Sequence, residues 1–277
     1  MRNKLIVSEL KARRSGSLAG RIGWTLFRKP KETLFKTYTH RFERQYREVY
    51  RQADRFAVLC EEYKRQVEDI VGASPETSKV RVLTNPLGPE PPLHAEKSKE
   101  VLFVGRMSYA DKRVDRLLRI WARVEPEFPN WTLKLVGDGP EYDHLRQLAD
   151  RLGLRQVRFC GYAADPQPHY ETAAILCLTS TFEGWGLVLA EAQAAGVVPM
   201  AFSCSGGVRE IIGEDGTTGV CVAPFDEEAY ARELAALMRD GERRRAMQPA
   251  LRRKAAGYSL ENTGRMWLGM LDELERE

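Results

Sequence analysis

Two glutamates, Glu183 and Glu191, are separated by seven residues across a Gly184-Trp185-Gly186 turn, and two cations, Arg106 and Lys112, share an earlier loop. These residue types suit one task, holding a ligand through its phosphates. Lysine and arginine neutralise a diphosphate, most strongly as it leaves with growing charge. Carboxylates accept hydrogen bonds from hydroxyl groups. Glu183 precedes an expected helix and Glu191 lies about one and a half turns inside it. Both can therefore face one crevice, one toward each end of a ligand whose phosphates lie between them. Free N–H groups and the helix dipole at Gly186 and Leu187 add a seat for phosphate.

Further loops carry similar chemistry. Gly137-Asp138-Gly139-Pro140-Glu141 holds two glycines that permit close backbone approach, and Pro140 can open a helix. Gly161 and Tyr162 end another apolar run, where a nucleobase could rest on backbone and ring. The run SCSGGVRE, residues 203–210, supplies one more glycine-bearing loop. Any one of these is a weak signal, but several on one sheet edge are hard to dismiss.

The elements that must position these loops read as regular alternation. Strands are expected near 100–104, 132–136, 157–160, 175–178, 197–201 and 219–222, as apolar runs suited to burial on both faces. Helices are expected near 113–124, 141–152, 186–195, 207–212, 227–239, 242–256 and 260–275. Strands alternating with helices mean an α/β fold, a mostly parallel, doubly wound sheet with right-handed crossovers. In such a sheet ligands bind outside the carboxyl ends of the strands, where every loop named above falls. Before this region the pattern gives a basic helical stretch, about 30–53, a strand 56–60, a helix from Glu61 and a strand 79–83. Residues 86–98, rich in proline and without periodicity, read as a linker. The expected domains are thus 1–85, partial and helix-rich, then 99–258, with 259–277 a terminal helix.

The 277 residues are 43% hydrophobic, enough for one large or two ordinary domains. No apolar run approaches 18 residues and no signal-peptide pattern opens the chain, so the cytoplasm is the expected compartment. The five cysteines lack a Cys-x-x-Cys pair, and Cys60, Cys160, Cys177 and Cys221 fall in strand-like runs, which predicts buried free thiols. Residues 1–55 hold 15 basic against 5 acidic side chains, interspersed with Trp24, Leu26, Phe27, Leu34, Phe35 and Tyr38. Such a segment can lie on an anionic membrane surface, peripheral at its inner face, or cover a core with a solvated basic face. No base-reading motif accompanies the charge, so nucleic acid is not expected as a partner.

Taken together, GR…K…DRLL from Arg106, LVGDGP, FCGY, STFEGWGLVLAEA, SGGVREII and TTGVCV resemble the carboxyl-terminal half of a GT-B glycosyltransferase. The likeness is to glycosyltransferase family 4, also called glycosyl transferases group 1, from about residue 100 onward. It implies a nucleotide-sugar donor, linked through UDP or GDP, and a glycan or lipid-linked acceptor in cell-surface polysaccharide or glycolipid synthesis. It implies retention of anomeric configuration with no cofactor and no metal. By the same likeness Arg106 and Lys112 hold the diphosphate and Glu183 contacts the donor sugar, so these three stand as the catalytic set. Glu191 takes the ribose hydroxyls, Gly186 and Leu187 offer N–H groups, and Gly161 with Tyr162 borders the base. Gly105, Gly137, Gly184 and Trp185 complete the donor set, with Trp185 and Phe182 shaping the sugar pocket.

The sequence also departs from the family pattern. The spacing from Arg106 to Lys112 is one residue longer than usual, and Lys112-Arg113 stands where Lys-Gly is common, so Arg113 could share or replace the role of Lys112. Residues 1–85 match only the last two strands of an acceptor domain. The early strands, their glycine-rich loop and a catalytic-side histidine have no counterpart. His40, His94, His144 and His169 are expected to be solvated or structural. Met1 can then be an internal start or the chain a truncated form, and weak catalysis by the chain alone is expected. A non-catalytic nucleotide-sugar binder acting with a partner is the second reading, and an epimerase of GT-B shape the third. A dehydrogenase is disfavoured because Gly-Arg-Met-Ser replaces the dinucleotide fingerprint. A glycosidase acid and nucleophile must flank one bond, whereas Glu183 and Glu191 flank a phosphate turn.

Overall fold

The computed structural model describes residues 40–94, 96–213 and 216–276. The aromatic positions Trp24 to Tyr38 of the basic segment lie outside the described residues. The described chain divides into two compact units, one of residues up to Thr84 together with those from Met266 onward, the other Asn85–Arg265.

In the first unit a helix α1 over 40–52 is followed by β1 (Phe56–Val58), α2 (Glu61–Val71) and β2 (Val80–Val82). The two strands pair in parallel, Phe56 opposite Val80. Tyr46 and Tyr50 of α1 set their rings 5.9 and 6.3 Å from that of Phe56. Glu273, in the terminal helix, joins this unit by pairing with Arg81 at 2.8 Å and Arg55 at 3.6 Å. Trp267, Leu268 and Leu271 of that helix are substantially exposed.

The second unit continues with β3 (Glu100–Val104), α3 (Val114–Val124), β4 (Thr132–Val136), α4 (Tyr142–Arg151), β5 (Val157–Gly161), α5 (Gln167–Thr172), β6 (Ile175–Leu178), α6 (Leu187–Ala194), β7 (Val198–Phe202), α7 (Gly206–Ile212), β8 (Val220–Val222), α8 (Glu227–Arg239) and α9 (Gly241–Ala256), and the last helix α10 (Leu260–Glu275) begins in it. The six strands form one parallel sheet in the order β5-β4-β3-β6-β7-β8. The chain winds outward from β3 to β5, returns to β6 and winds outward again. The switch point is therefore between β3 and β6, and the loops that follow these two strands flank its crevice.

Burial explains why this arrangement holds. All four residues of β6 and all five of β7 are buried, so these central strands read as unbroken apolar runs. Ile175, Leu176 and Leu178 are at most 1% exposed, each contributing about 1.5–3 kcal/mol of burial. Leu117, Leu118, Ile120 and Trp121 of α3 cover the sheet with no exposure. The edge strand β5 alternates instead, which puts Cys160 on the solvent face. That corrects the expectation of a buried thiol there. Cys60 and Cys177 are buried as expected, while Cys221 is only half-buried.

The proline-rich segment is also not a free tether. Leu87 N–H donates to the Tyr258 carbonyl at 2.7 Å, Arg252 pairs with Glu90, and Leu87 is 7% exposed. The segment packs on the second unit, because backbone donors and one apolar side chain find partners there even without a regular element. Helix α5 was not expected from the sequence. Among the described residues no helix is long and apolar enough to cross a membrane.

Candidate functional site

The loops after β3 and β4 are joined backbone to backbone. Gly105 N–H donates to the Val136 carbonyl at 3.0 Å, and Met107 N–H to that of Asp138 at 2.8 Å. Gly137 makes this possible. Its φ is 137°, and a Cβ there would lie 1.9 Å from the Gly105 oxygen. The close approach foreseen for the glycine pair Gly137 and Gly139 is thus to the neighbouring loop.

That support presents Lys112. Its stem runs past Gly105, where an added Cβ would meet Lys112 Cε at 3.6 Å. Its Nζ lies 2.8 Å from Glu183 Oε1, with the two side chains 19% and 10% exposed. Ser180 Oγ donates to the same carboxylate oxygen at 2.6 Å. The cation of one switch-point loop therefore meets the carboxylate of the other, in partial shelter from solvent where charges interact more strongly than in bulk water.

Arg106 is placed differently. Its side chain is 67% exposed, and Nη2 pairs with Asp111 Oδ2 at 3.2 Å. Asp111 organises the loop. Its other oxygen accepts the Lys112 N–H at 3.1 Å, and its carbonyl accepts the Thr181 N–H at 2.7 Å. Burial pushes the Asp111 carboxyl upward, but hydrogen bonds from Ser108 and Arg106 outweigh it and leave it below its ordinary value. Sequence reasoning passed over Asp111 and Ser180. An aspartate between two cations was a visible signal for the first.

Arg113 does not stand in for Lys112. It adopts a left-handed φ of 51° and donates two bonds to Asp115, at 2.9 and 3.1 Å, with its side chain 6% exposed. Its guanidinium also lies 4.3 Å from the centre of the Tyr109 ring. Turned into the base of α3, it packs that helix against the loop. The expectation that it shares the phosphate role is corrected by this bidentate partner.

The turn after β6 abuts the start of α7, since a Cβ at Gly207 would fall 2.6 Å from the Gly184 oxygen. Gly184 itself is exposed and faces open space. Gly186 caps α6 with φ 91°, and Leu187, the first residue of the helix, is 37% exposed. Trp185 is buried at 3%, its ring edge-on to Tyr258 at 5.4 Å. The indole therefore belongs to the packing of the turn and is not an open wall of a sugar pocket; of the two aromatic residues assigned that part, Phe182 is the half-exposed one. Cys204 is buried next to the site, and burial, with Glu183 adding to it, pushes its thiol up to about 12.

Glu191 falls at the fifth position of α6, where its Oε2 accepts the Tyr170 hydroxyl at 2.7 Å. Gly161, with φ 72°, accepts the Gly137 N–H on its carbonyl at 2.7 Å, and Tyr162 beside it is 77% exposed. The structure thus brings Lys112 and Glu183 into contact, sets Arg106 beside them through Asp111, and leaves Glu191 on the adjoining helix with Tyr170.

The family model described as glycosyl transferases group 1 matches residues 88–254. An uncharacterized glycosyltransferase of Haemophilus influenzae is 32% identical over 71% of this chain and 56% of its own length. The lipopolysaccharide 1,6-galactosyltransferase of Salmonella typhimurium is 29% identical over 57% of this chain and 45% of its own. Among solved structures, the pneumococcal O-GlcNAc transferase GtfA in complex with UDP and GlcNAc superposes with a TM-score of 0.72 at 19% identity, covering 85% of this chain and 48% of that one. The chain spans about half the length of these proteins.

Proposed function

Because the chain belongs to the glycosyl transferases group 1 family, we propose that the rim between β3 and β6 binds a nucleotide-diphosphate sugar and serves a retaining glycosyltransferase. Its α/β fold is the GT-B type expected from the sequence. The observation that carries the proposal is the contact of Lys112 with Glu183 at 2.8 Å, made between the two switch-point loops and beside the start of α6.

In this reading the ammonium exchanges its carboxylate for the diphosphate. Glu183, released, accepts hydrogen bonds from the donor sugar's hydroxyls. As the bond to the anomeric carbon breaks, the charge growing on the diphosphate is met by Lys112, by Arg106 and by the N–H groups opening α6. Glu191 holds the ribose, and Gly161 with Tyr162 borders the base. No divalent ion takes part, since Lys112 and Arg106 supply the positive charge.

The acceptor in this reading is a saccharide or lipid-linked glycan of a cell-surface polysaccharide or glycolipid. The name of the Salmonella relative supports that class, and the UDP and GlcNAc held by the pneumococcal transferase support the donor class. Neither relative is named an epimerase. The match covers 56% and 45% of the own lengths of the Haemophilus and Salmonella relatives, and in this reading the donor half by itself turns over slowly. The basic composition of residues 1–55 supports a cytoplasmic site of action at an anionic membrane surface.

A thermal-shift screen of UDP- and GDP-sugars tests the donor assignment. A ligand at a hundredfold its Kd adds about 2.7 kcal/mol to a folded protein that alone binds it. At least one series is expected to raise the melting temperature of the wild type and to leave Glu191→Ala nearly unmoved. Equal shifts in both proteins, or none in either, would remove the assignment.

A further inference from the structure

Glu191 has one side-chain partner among the described residues, and that partner comes from an element that the sequence hid. Tyr170 lies on the six-residue helix α5, is 1% exposed, and donates its hydroxyl to Glu191 Oε2 at 2.7 Å. Burial, reinforced by the Glu191 charge, pushes its phenol well above 10. Tyr170 is therefore the proton donor in this bond at any physiological pH.

The two helices that carry the pair are tied together. Lys97 Nζ donates to the carbonyls of Tyr170 at 3.3 Å, Glu171 at 2.8 Å and Ala195 at 2.8 Å, which joins the last turn of α5 to the C-cap of α6. A phenol fixed by burial and a carboxylate fixed by its helix thus meet over a braced distance. The bond also removes the rotational freedom that a glutamate carboxylate otherwise keeps about its last torsion.

We infer that Tyr170 is a positioning residue that sets the ribose selectivity of the nucleotide site, by holding one oxygen of Glu191 so that the other is presented to the ribose diol. The inference rests on the donor reading above. With the carboxylate fixed, a ribose supplies the hydroxyl donors it needs, whereas a deoxyribose leaves lone pairs of a charged group unpaired. Sites built to hydrogen-bond a hydroxyl reject the analogue lacking it for this reason. A carboxylate free to turn would find other donors, including water, and the distinction would fade.

The test is calorimetric titration of the full chain with UDP, 2′-deoxy-UDP, GDP and 2′-deoxy-GDP, for wild type, Tyr170→Phe and Lys97→Met. The wild type is expected to prefer the ribonucleotide of one series by about tenfold or more, the size expected of a charge-assisted hydrogen bond. Tyr170→Phe is expected to lower ribonucleotide affinity by roughly threefold to tenfold and to leave the deoxynucleotide within about twofold, so that the ratio collapses. Lys97→Met, which unties the helices and leaves the Tyr170 hydroxyl and the Glu191 carboxylate unaltered, is expected to lower the same ratio and serves if Tyr170→Phe does not fold. Equal weakening of both nucleotides in a folded variant, or an unchanged ratio, overturns the inference and leaves the donor site standing. Absence of binding by the wild type in both series overturns the donor reading, and the inference with it.

Discussion

Lys112→Ala is expected to weaken binding of a nucleotide sugar by about 10–100-fold, the worth of a charge-assisted hydrogen bond to phosphate, and to lower the melting temperature by roughly 4–8 °C. The first effect has two sources. The diphosphate loses its cation, and it then faces Glu183 without the ammonium that sits 2.8 Å from that carboxylate. The second follows from the shelter of the pair, whose side chains are only 19% and 10% exposed. Breaking a buried pair by removing one partner costs about 3–5 kcal/mol. Partial exposure and the remaining Ser180 bond bring this nearer 2 kcal/mol, and 1 kcal/mol moves a domain of this size by about 2–4 °C. Arg106→Ala, at an exposed pair, is expected to cost 0–1 kcal/mol. The double change Lys112→Ala with Glu183→Ala should regain most of the lost stability but none of the affinity. Calorimetry and thermal melts read both quantities. Unchanged affinity in Lys112→Ala would separate this lysine from the phosphates.

Gly137→Ala carries the largest expected loss of stability, above about 4 kcal/mol, a size reached only by a few mechanisms. Two of them coincide here. The φ of 137° is one that side chains rarely adopt, and the added Cβ would lie 1.9 Å from a backbone oxygen, with no flexible side chain to give way. Gly161→Ala shares the first problem alone, at φ 72° with nothing within 4 Å, and is expected to cost about 1–2 kcal/mol. Gly184→Ala has neither and should fall within about 0.5 kcal/mol of the parent. Chemical denaturation of the three variants checks the ranking. A Gly137→Ala protein as stable as Gly184→Ala would mean that the β3 and β4 loops are not joined as described.

The sheet was legible in the sequence because central parallel strands must be apolar on both faces. Ile175–Leu178 and Val198–Phe202 show this as unbroken runs, so their bounds were read to within a residue or so. Edge strands carry less signal. Val157–Gly161 was found as a strand, but its alternating burial was not foreseen, which is why Cys160 was assigned to the interior. Helix α5 was lost because six residues, with Pro166 at the N-cap and Pro168 inside the first turn, leave no periodicity to detect and only Tyr170 buried. Its one informative residue is a tyrosine whose role depends on a carboxylate 21 positions away.

The site was legible at the level of loops and not of partners. Lys112 and Glu183 are 71 residues apart in the chain, and their meeting follows from β3 and β6 being neighbours at the switch point. Topology supplied that pairing. Arg113 was misread for the opposite reason. Its partner Asp115 is two residues away, but only the left-handed backbone at Arg113 turns the guanidinium onto it.

The account's central claim is that phosphates are held at the carboxyl rim of β3 and β6. A crystal structure of the chain with UDP or GDP, whichever stabilises it, tests this most directly. The account predicts the diphosphate within hydrogen-bond distance of Lys112 Nζ and the N–H groups at the start of α6, with the ribose hydroxyls on Glu191. A nucleotide seated instead at the amino ends of the strands, for example in the small cavity lined by Lys97, Arg245 and Gln248, would contradict it.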